Sequence, residues 1–126
     1  MPMTVKTQTI LHADDEPDTL EVVQTILGIE GFEVVSVEDG EQALEQIKLH
    51  DFDLMLLDIM MPDMSGLELL SRISEMEQNY RVIFLTVLEA SEEQLKQLTE
   101  YGIKDYITKP FDRDNLVQRV KIALAS

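Results

Sequence analysis

Cysteine is absent from these 126 residues, which excludes both a disulfide framework and a thiolate metal site. No apolar stretch approaches the roughly 20 residues that span a bilayer, and Met1 to Gln8 lacks the features of a signal peptide. Basic residues are scarce, 10 against 25 acidic, and the formal charge of −15 argues against a nucleic-acid surface on this chain. Repeats, low-complexity tracts and linkers are missing too. The expectation is one domain over residues 1–126, cytoplasmic, with no membrane insertion. At this size a core buries roughly two thirds of the unfolded surface, enough to fold without cross-links.

What is present is an alternation of short apolar runs and amphipathic stretches. That pattern belongs to a parallel sheet with helices on both faces. The first strand covers about Gln8 to Ala13. A helix starts near Pro17, whose missing N–H suits a first helical position, and buries Leu20, Val23, Ile26 and Leu27. Gly31 can take the left-handed conformation that ends it. Phe32 to Val37 is the second strand. Asp39 with Gln42 forms a capping box for a helix whose inward face is Ala43, Leu44 and Ile47. The third strand, Asp53 to Leu57, delivers Asp58. Ser65 with Glu68 opens a third helix carrying Leu67, Leu70 and Ile73. Val82 to Leu85 is the fourth strand, closed by Thr86, and Ser91 with Gln94 marks a helix ended by Tyr101-Gly102. A short fifth strand, Asp105 to Thr108, precedes a last helix capped by Asp112 and carrying Leu116, Val120, Ala123 and Leu124. The fold expected is α/β, doubly wound and flavodoxin-like: a five-stranded parallel sheet in the order 2-1-3-4-5 with five helices.

Strand ends carry the chemistry. Asp14 and Asp15 follow the first strand, Asp58 the third, Thr86 the fourth and Lys109 the fifth. In open α/β sheets the ligand site lies beyond the carboxyl ends of the strands, where strand order reverses. Carboxylates about 4 Å apart repel by roughly 4 kcal/mol at an effective dielectric near 20, so such a cluster calls for a cation. Magnesium, a hard cation with oxygen ligands, suits two or three carboxylates plus a backbone carbonyl. A central Asp58 can attack phosphorus as a carboxylate nucleophile. Lys109 would neutralise the transferring phosphoryl, and the Thr86 hydroxyl would donate to one of its oxygens.

At this point the chain closely resembles the receiver domain of two-component response regulators. The matching segments are Ile10-Leu11-His12-Ala13-Asp14-Asp15-Glu16, the stretch from Leu54 through Asp58 to Gly66, Phe84-Leu85-Thr86, and Gly102 to Phe111. The resemblance implies that Asp58 receives a phosphoryl group from a histidine kinase or phosphotransfer protein. It also implies that Asp15, Asp58 and the Met60 carbonyl bind Mg2+ directly and that Asp14 helps through a water. Lys109 would contact the phosphoryl, and a cis peptide would precede Pro110, at a cost of only about 0.5–1 kcal/mol. The switch residues of the family fall on Thr86 and Tyr106. The surface of the fourth helix, fifth strand and fifth helix would then change and control a downstream effector or output domain. Receivers of winged-helix regulators often form a homodimer through that surface, and Asp105 with Arg119 is one candidate charge pair for it.

Several positions depart from the family pattern. Val87 stands where a small residue is usual, and the stretch from Thr86 to Lys109 is one residue longer than expected. Met60 and Leu88 are apolar at two positions that tune acyl-phosphate hydrolysis, which predicts a long-lived phosphorylated state. Rival readings are a magnesium-dependent phosphohydrolase with an aspartyl nucleophile, a receiver-like binding module that is not phosphorylated, and a flavin-binding relative. The first usually needs an acid at the position of Met60, the second leaves the acidic set and Lys109 unused, and the third lacks its hydroxyl-rich loop. The protein is therefore read as a switch that catalyses only its own modification, not as an enzyme. His12 is expected to be a satisfied core or edge histidine, and the methionines to be filler. Whether the chain is a stand-alone regulator or the receiver of a longer protein stays open.

Overall fold

Apolar runs of four or five residues, each bounded by polar turns, become five strands, and the amphipathic stretches between them become five helices. In chain order these are β1 (Thr9–Ala13), α1 (Pro17–Ile29), β2 (Glu33–Val37), α2 (Gly40–Leu49), β3 (Leu54–Leu57), α3 (Gly66–Ser74), β4 (Val82–Thr86), α4 (Glu92–Tyr101), β5 (Asp105–Thr108) and α5 (Arg113–Ala125). This computed structural model describes residues 6–76 and 80–126; part of the segment tested for a signal peptide, residues 1–5, lies outside the described residues. All four strand pairings are parallel, in the order β2-β1-β3-β4-β5, as the sequence predicts.

Each strand sends alternate side chains to opposite faces, so two cores form. Leu11, Met55, Leu57 and Phe84 pack with α2 and α3 on one face. Ile10, Leu54, Leu56 and Leu85 pack with α1 and α5 on the other. Burying each such side chain contributes roughly 1.5–3 kcal/mol.

Ends differ from expectation by a residue. The third strand starts at Leu54; Asp53 still pairs with Thr9, donating its N–H to the Thr9 carbonyl and accepting the Thr9 N–H on its carboxylate, both at 2.8 Å. The Ser91–Gln94 box is complete and starts α4 where expected. At Ser65 only half the box forms, since Glu68 pairs with Arg72 instead. Gln42 likewise reaches past Asp39 to the Glu38 N–H. Gly31 and Gly102 both adopt positive φ, 94° and 119°, at helix ends.

One packing expectation needs correction. In α3 the buried residues are Leu69, Leu70 and Ile73, while Leu67 is exposed. The start of α3 is docked through Gly66 onto the backbone after β3, and that contact sets the helix phase and turns Leu67 outward. Helix α4 buries none of its residues fully; Leu95 and Leu98 are half-buried, and Leu98 packs against the core on the α2–α3 face. Arg119 meets Asp105 within one chain, as a two-pronged contact at 2.7 and 2.8 Å.

Candidate functional site

The hydrogen-bond ladder runs past the strand ends and sets the site. Asp14 N–H donates to the Val37 carbonyl, Asp58 N–H to the Ala13 carbonyl, and Lys109 N–H to the Thr86 carbonyl at 2.7 Å. These bonds carry the residues beyond β1, β3 and β5 onto one edge. β1 lies between β2 and β3 there, so this edge is also where strand order reverses.

Asp14, Asp58 and Thr86 are buried polar side chains, and Lys109 is nearly so. The Lys109 Nζ stands 2.6 Å from Asp14 Oδ2 and 2.9 Å from Asp58 Oδ2. One ammonium therefore joins two carboxylates from different strands. Burial pushes the Asp14 carboxyl up from its ordinary value, against the opposing pull of Lys109 and the Glu16 N–H. Burial alone would lower the Lys109 ammonium, but its hydrogen bonds to Asp14 and Asp58 outweigh that and hold it higher than usual. The peptide from Lys109 to Pro110 is cis, as the resemblance implied.

The remaining oxygens are also occupied. Asp14 Oδ1 accepts the Glu16 N–H at 2.9 Å, and Asp58 Oδ1 accepts the Met60 N–H at 2.9 Å. Carboxylate oxygens of Asp14, Asp15 and Glu16 lie within 4.8 Å of one another. Asp15 and Glu16 face solvent. This is a hard, all-oxygen donor set at the rim of a buried acid pair, and it fits a magnesium ion. Glu16 was not among the residues singled out in the sequence; its signal was its place beside Asp14-Asp15 at the start of α1. Asp58, in contrast, is tied to Lys109 rather than gathered with that set.

Thr86 and Tyr106 meet at a common neighbour. Thr86 Oγ1 accepts the Leu88 N–H at 3.4 Å, and the Tyr106 hydroxyl donates to the Leu88 carbonyl at 2.6 Å. The Tyr106 ring is half-buried and sits edge-on to Phe84, with centroids 6.1 Å apart. Met60, Val87 and Leu88 are exposed around the site.

His12 corrects the sequence reading. It is fully buried as expected, but neither ring nitrogen has a hydrogen-bond partner among the described residues. Its Nε2 stands 3.9 Å from Asp14 Oδ2. Burial, with the Lys109 charge added, lowers its pKa to about 3, so the ring is neutral.

Comparison with known proteins bears on the family and the fold. A family model described as the response regulator receiver domain matches residues 10–121. The chain is 38% identical over 113 residues to the transcriptional regulatory protein DltR of Streptococcus agalactiae, covering 90% of this chain and 50% of that protein. It is 36% identical over 116 residues to the probable transcriptional regulatory protein TcrX of Mycobacterium tuberculosis, covering 92% and 49%. The chain thus spans about half the length of these curated relatives. Among solved structures, a CheY-like receiver domain protein of Methanospirillum hungatei superposes with a TM-score of 0.86 at 32% identity, covering 95% of both chains. The response regulator TrrA of Thermotoga maritima, solved in complex with Mg(2+)-BeF, superposes at 0.79 with 34% identity, covering 93% of this chain and 99% of that one.

Proposed function

The chain belongs to the response regulator receiver domain family, and from that premise we propose that it is a phosphoacceptor switch modified on Asp58. The observation that carries this reading is the single buried ammonium of Lys109 held between Asp14 and Asp58 at 2.6 and 2.9 Å. An anionic transfer site needs a cation fixed beside the nucleophile, and this one is fixed by two strands.

The donor is a phosphohistidine on a histidine kinase or phosphotransfer protein. An Asp58 carboxylate oxygen forms the new P–O bond as the P–N bond to the donor breaks, and the departing imidazole takes up a proton. The product is a mixed anhydride on Asp58. Lys109 already touches Asp58 Oδ2 and neutralises the charge arriving there. Magnesium would supply the second share of neutralisation, held by Asp15, Asp58 and the Met60 carbonyl, with Asp14 helping through a water and Glu16 at the rim. Thr86 turns its hydroxyl toward the new oxygens and releases Leu88. Because Tyr106 holds the same residue, its ring is freed to turn inward.

The output follows from where that motion goes. The loop holding Leu88 leads into α4, the helix with no fully buried residue among those described, so α4 yields before the core does. A downstream effector, or an output domain attached beyond this stretch, reads α4, β5 and α5. A homodimer through that face would have to share or open the internal Asp105–Arg119 contact. Met60 and Leu88 offer no polar side chain to orient an attacking water, so the phosphorylated state is long-lived; decay as fast as in receivers with polar groups there would refute this.

Intact-mass measurement after a small phosphodonor with Mg2+ tests the central reading. Wild type should gain one phosphoryl group and Asp58→Asn none. Equal gain in both, or none in either, would overturn it.

A further inference from the structure

Among the described residues, His12 is the one buried titratable side chain that the phosphoryl chemistry above leaves unused. It sits in mid-strand, paired in register with Leu56 of β3 and Ser36 of β2. Two residues after Ile10, it shares the face of the sheet packed by α1 and α5. A valine there would fill the same kind of space without any polar atom to satisfy. The imidazole instead carries two unpartnered nitrogens into a site of zero exposure. An unmet donor in such a place has a cost.

Asp14 is the acceptor in reach. Its Oδ1 is fixed by the Glu16 N–H, and its Oδ2 by Lys109. The same Oδ2 is 3.9 Å from His12 Nε2, less than an ångström outside hydrogen-bond distance. Neither Asp14 nor His12 is exposed. Lys109 is shared between Asp14 and Asp58 while Asp58 is unmodified. A phosphoryl group on Asp58 brings a second negative charge and three more acceptor oxygens to that ammonium. Lys109 is drawn toward them, and Asp14 Oδ2 loses its share.

We propose that His12 is a positioning residue that donates its Nε2–H to Asp14 Oδ2 when Lys109 turns to the phosphoryl group. The transfer of a hydrogen bond from Lys109 to His12 keeps a buried carboxylate satisfied and in place through the modification. The ring's part in this transfer is its Nε2–H donor. This inference rests on the phosphoacceptor reading and extends it to a residue on the strand beneath the site.

Beryllofluoride with Mg2+, a stable phosphoryl mimic, provides the test on wild type, His12→Val and His12→Gln. Glutamine places an amide donor at about the reach of Nε2, whereas valine places none. His12→Val should raise the Tm of the unmodified chain, because it removes the unsatisfied ring, yet bind beryllofluoride about tenfold more weakly, the size of one hydrogen bond to a charged acceptor. His12→Gln should restore most of that affinity. In wild type, the imidazole 15N spectrum should show an Nε2–H proton moving downfield on addition of the mimic. A merely space-filling histidine predicts no such change and equal affinity in all three proteins. Binding of the mimic by wild type with an unmoved His12 signal, or with unchanged affinity in His12→Val, overturns this inference alone. Failure of wild type to bind the mimic overturns the phosphoacceptor reading and this one with it.

Discussion

A methyl group at position 66 has nowhere to go. A Cβ built on Gly66 falls inside contact distance of the Asp58 carbonyl oxygen and 3.0 Å from Ile59 Cα, all of it backbone that cannot rotate away. The Gly66 N–H meanwhile donates to the Ile59 carbonyl at 2.9 Å. Helix propensity alone would favour alanine by about 1 kcal/mol in a helix interior. Close approach decides the sign, and Gly66→Ala should destabilise by roughly 1–3 kcal/mol. It should also slow phosphorylation, since the strained backbone is that of Asp58 itself. Urea unfolding together with the mass assay checks both, and a stabilised, fully active variant would refute the account. At this scale the sequence was most readable where charge stood at a strand end. Asp14, Asp58, Thr86 and Lys109 each close an apolar run, and the sheet gathers all four. The unmet ring nitrogens of His12 were not readable, because they depend on what surrounds the strand in the fold rather than on neighbours in the chain; Glu16 was within reach, since it adjoins Asp14 and Asp15.

Among the helices, α2 shows how a contact distant in sequence can complete a local signal. Asp39 caps it in the ordinary way, accepting the Gln42 N–H at 2.8 Å. Asp63, in the loop before α3, accepts the Gly40 and Glu41 N–H groups at 3.0 and 2.9 Å. The two acids together satisfy the first turn and tie it to the loop that follows Asp58. Burial opposes ionisation of Asp63, but the N–H groups of Gly40, Glu41 and Met64 outweigh it and hold the carboxyl below its ordinary 3.8. Such a depressed carboxyl contributes stability that is fully present above 3.8 and is lost as pH falls through the lower folded value. Asp63→Ala should therefore cost about 1 kcal/mol at neutral pH. Its difference from wild type should shrink in acid, while the gap between Asp63→Asn and Asp63→Ala should stay constant, because neither variant titrates at that position. Denaturant titrations across pH 7 to 3 measure this, and a constant wild-type-to-Ala gap would rule out the carboxylate as the cap. The cap residues of all four capped helices were legible, because capping is local. The phase of α3 was not: Leu67, Leu70 and Ile73 repeat at a helical spacing, but the Gly66 contact rotates that stripe so that Leu69 goes in.

For the molecule as a whole, the dominant fact is a charge of −15 on one small domain. Self-repulsion of that size destabilises the compact state and is screened over about 10 Å at 0.1 M salt. Sodium chloride should accordingly raise the Tm of wild type and of most variants alike. If the proposed site binds it, magnesium should do more than its ionic strength explains, acting at one place where buried acids and a rim of exposed ones meet. A ligand at a hundredfold excess over its dissociation constant adds about 2.7 kcal/mol to stability. Asp15 is the residue with which to separate the two effects. It is exposed, so Asp15→Asn removes an oxygen charge without opening the core. The expected outcome is that wild type gains more from Mg2+ than from sodium chloride at matched ionic strength, while Asp15→Asn keeps the sodium response and loses most of the excess. Thermal unfolding in the two salts reads this directly. If magnesium merely tracks sodium in wild type, the acids at the strand ends are a screened surface and not a binding site. If the excess survives in Asp15→Asn, the ion sits on other oxygens than those the carboxyl ends of β1 and β3 bring together.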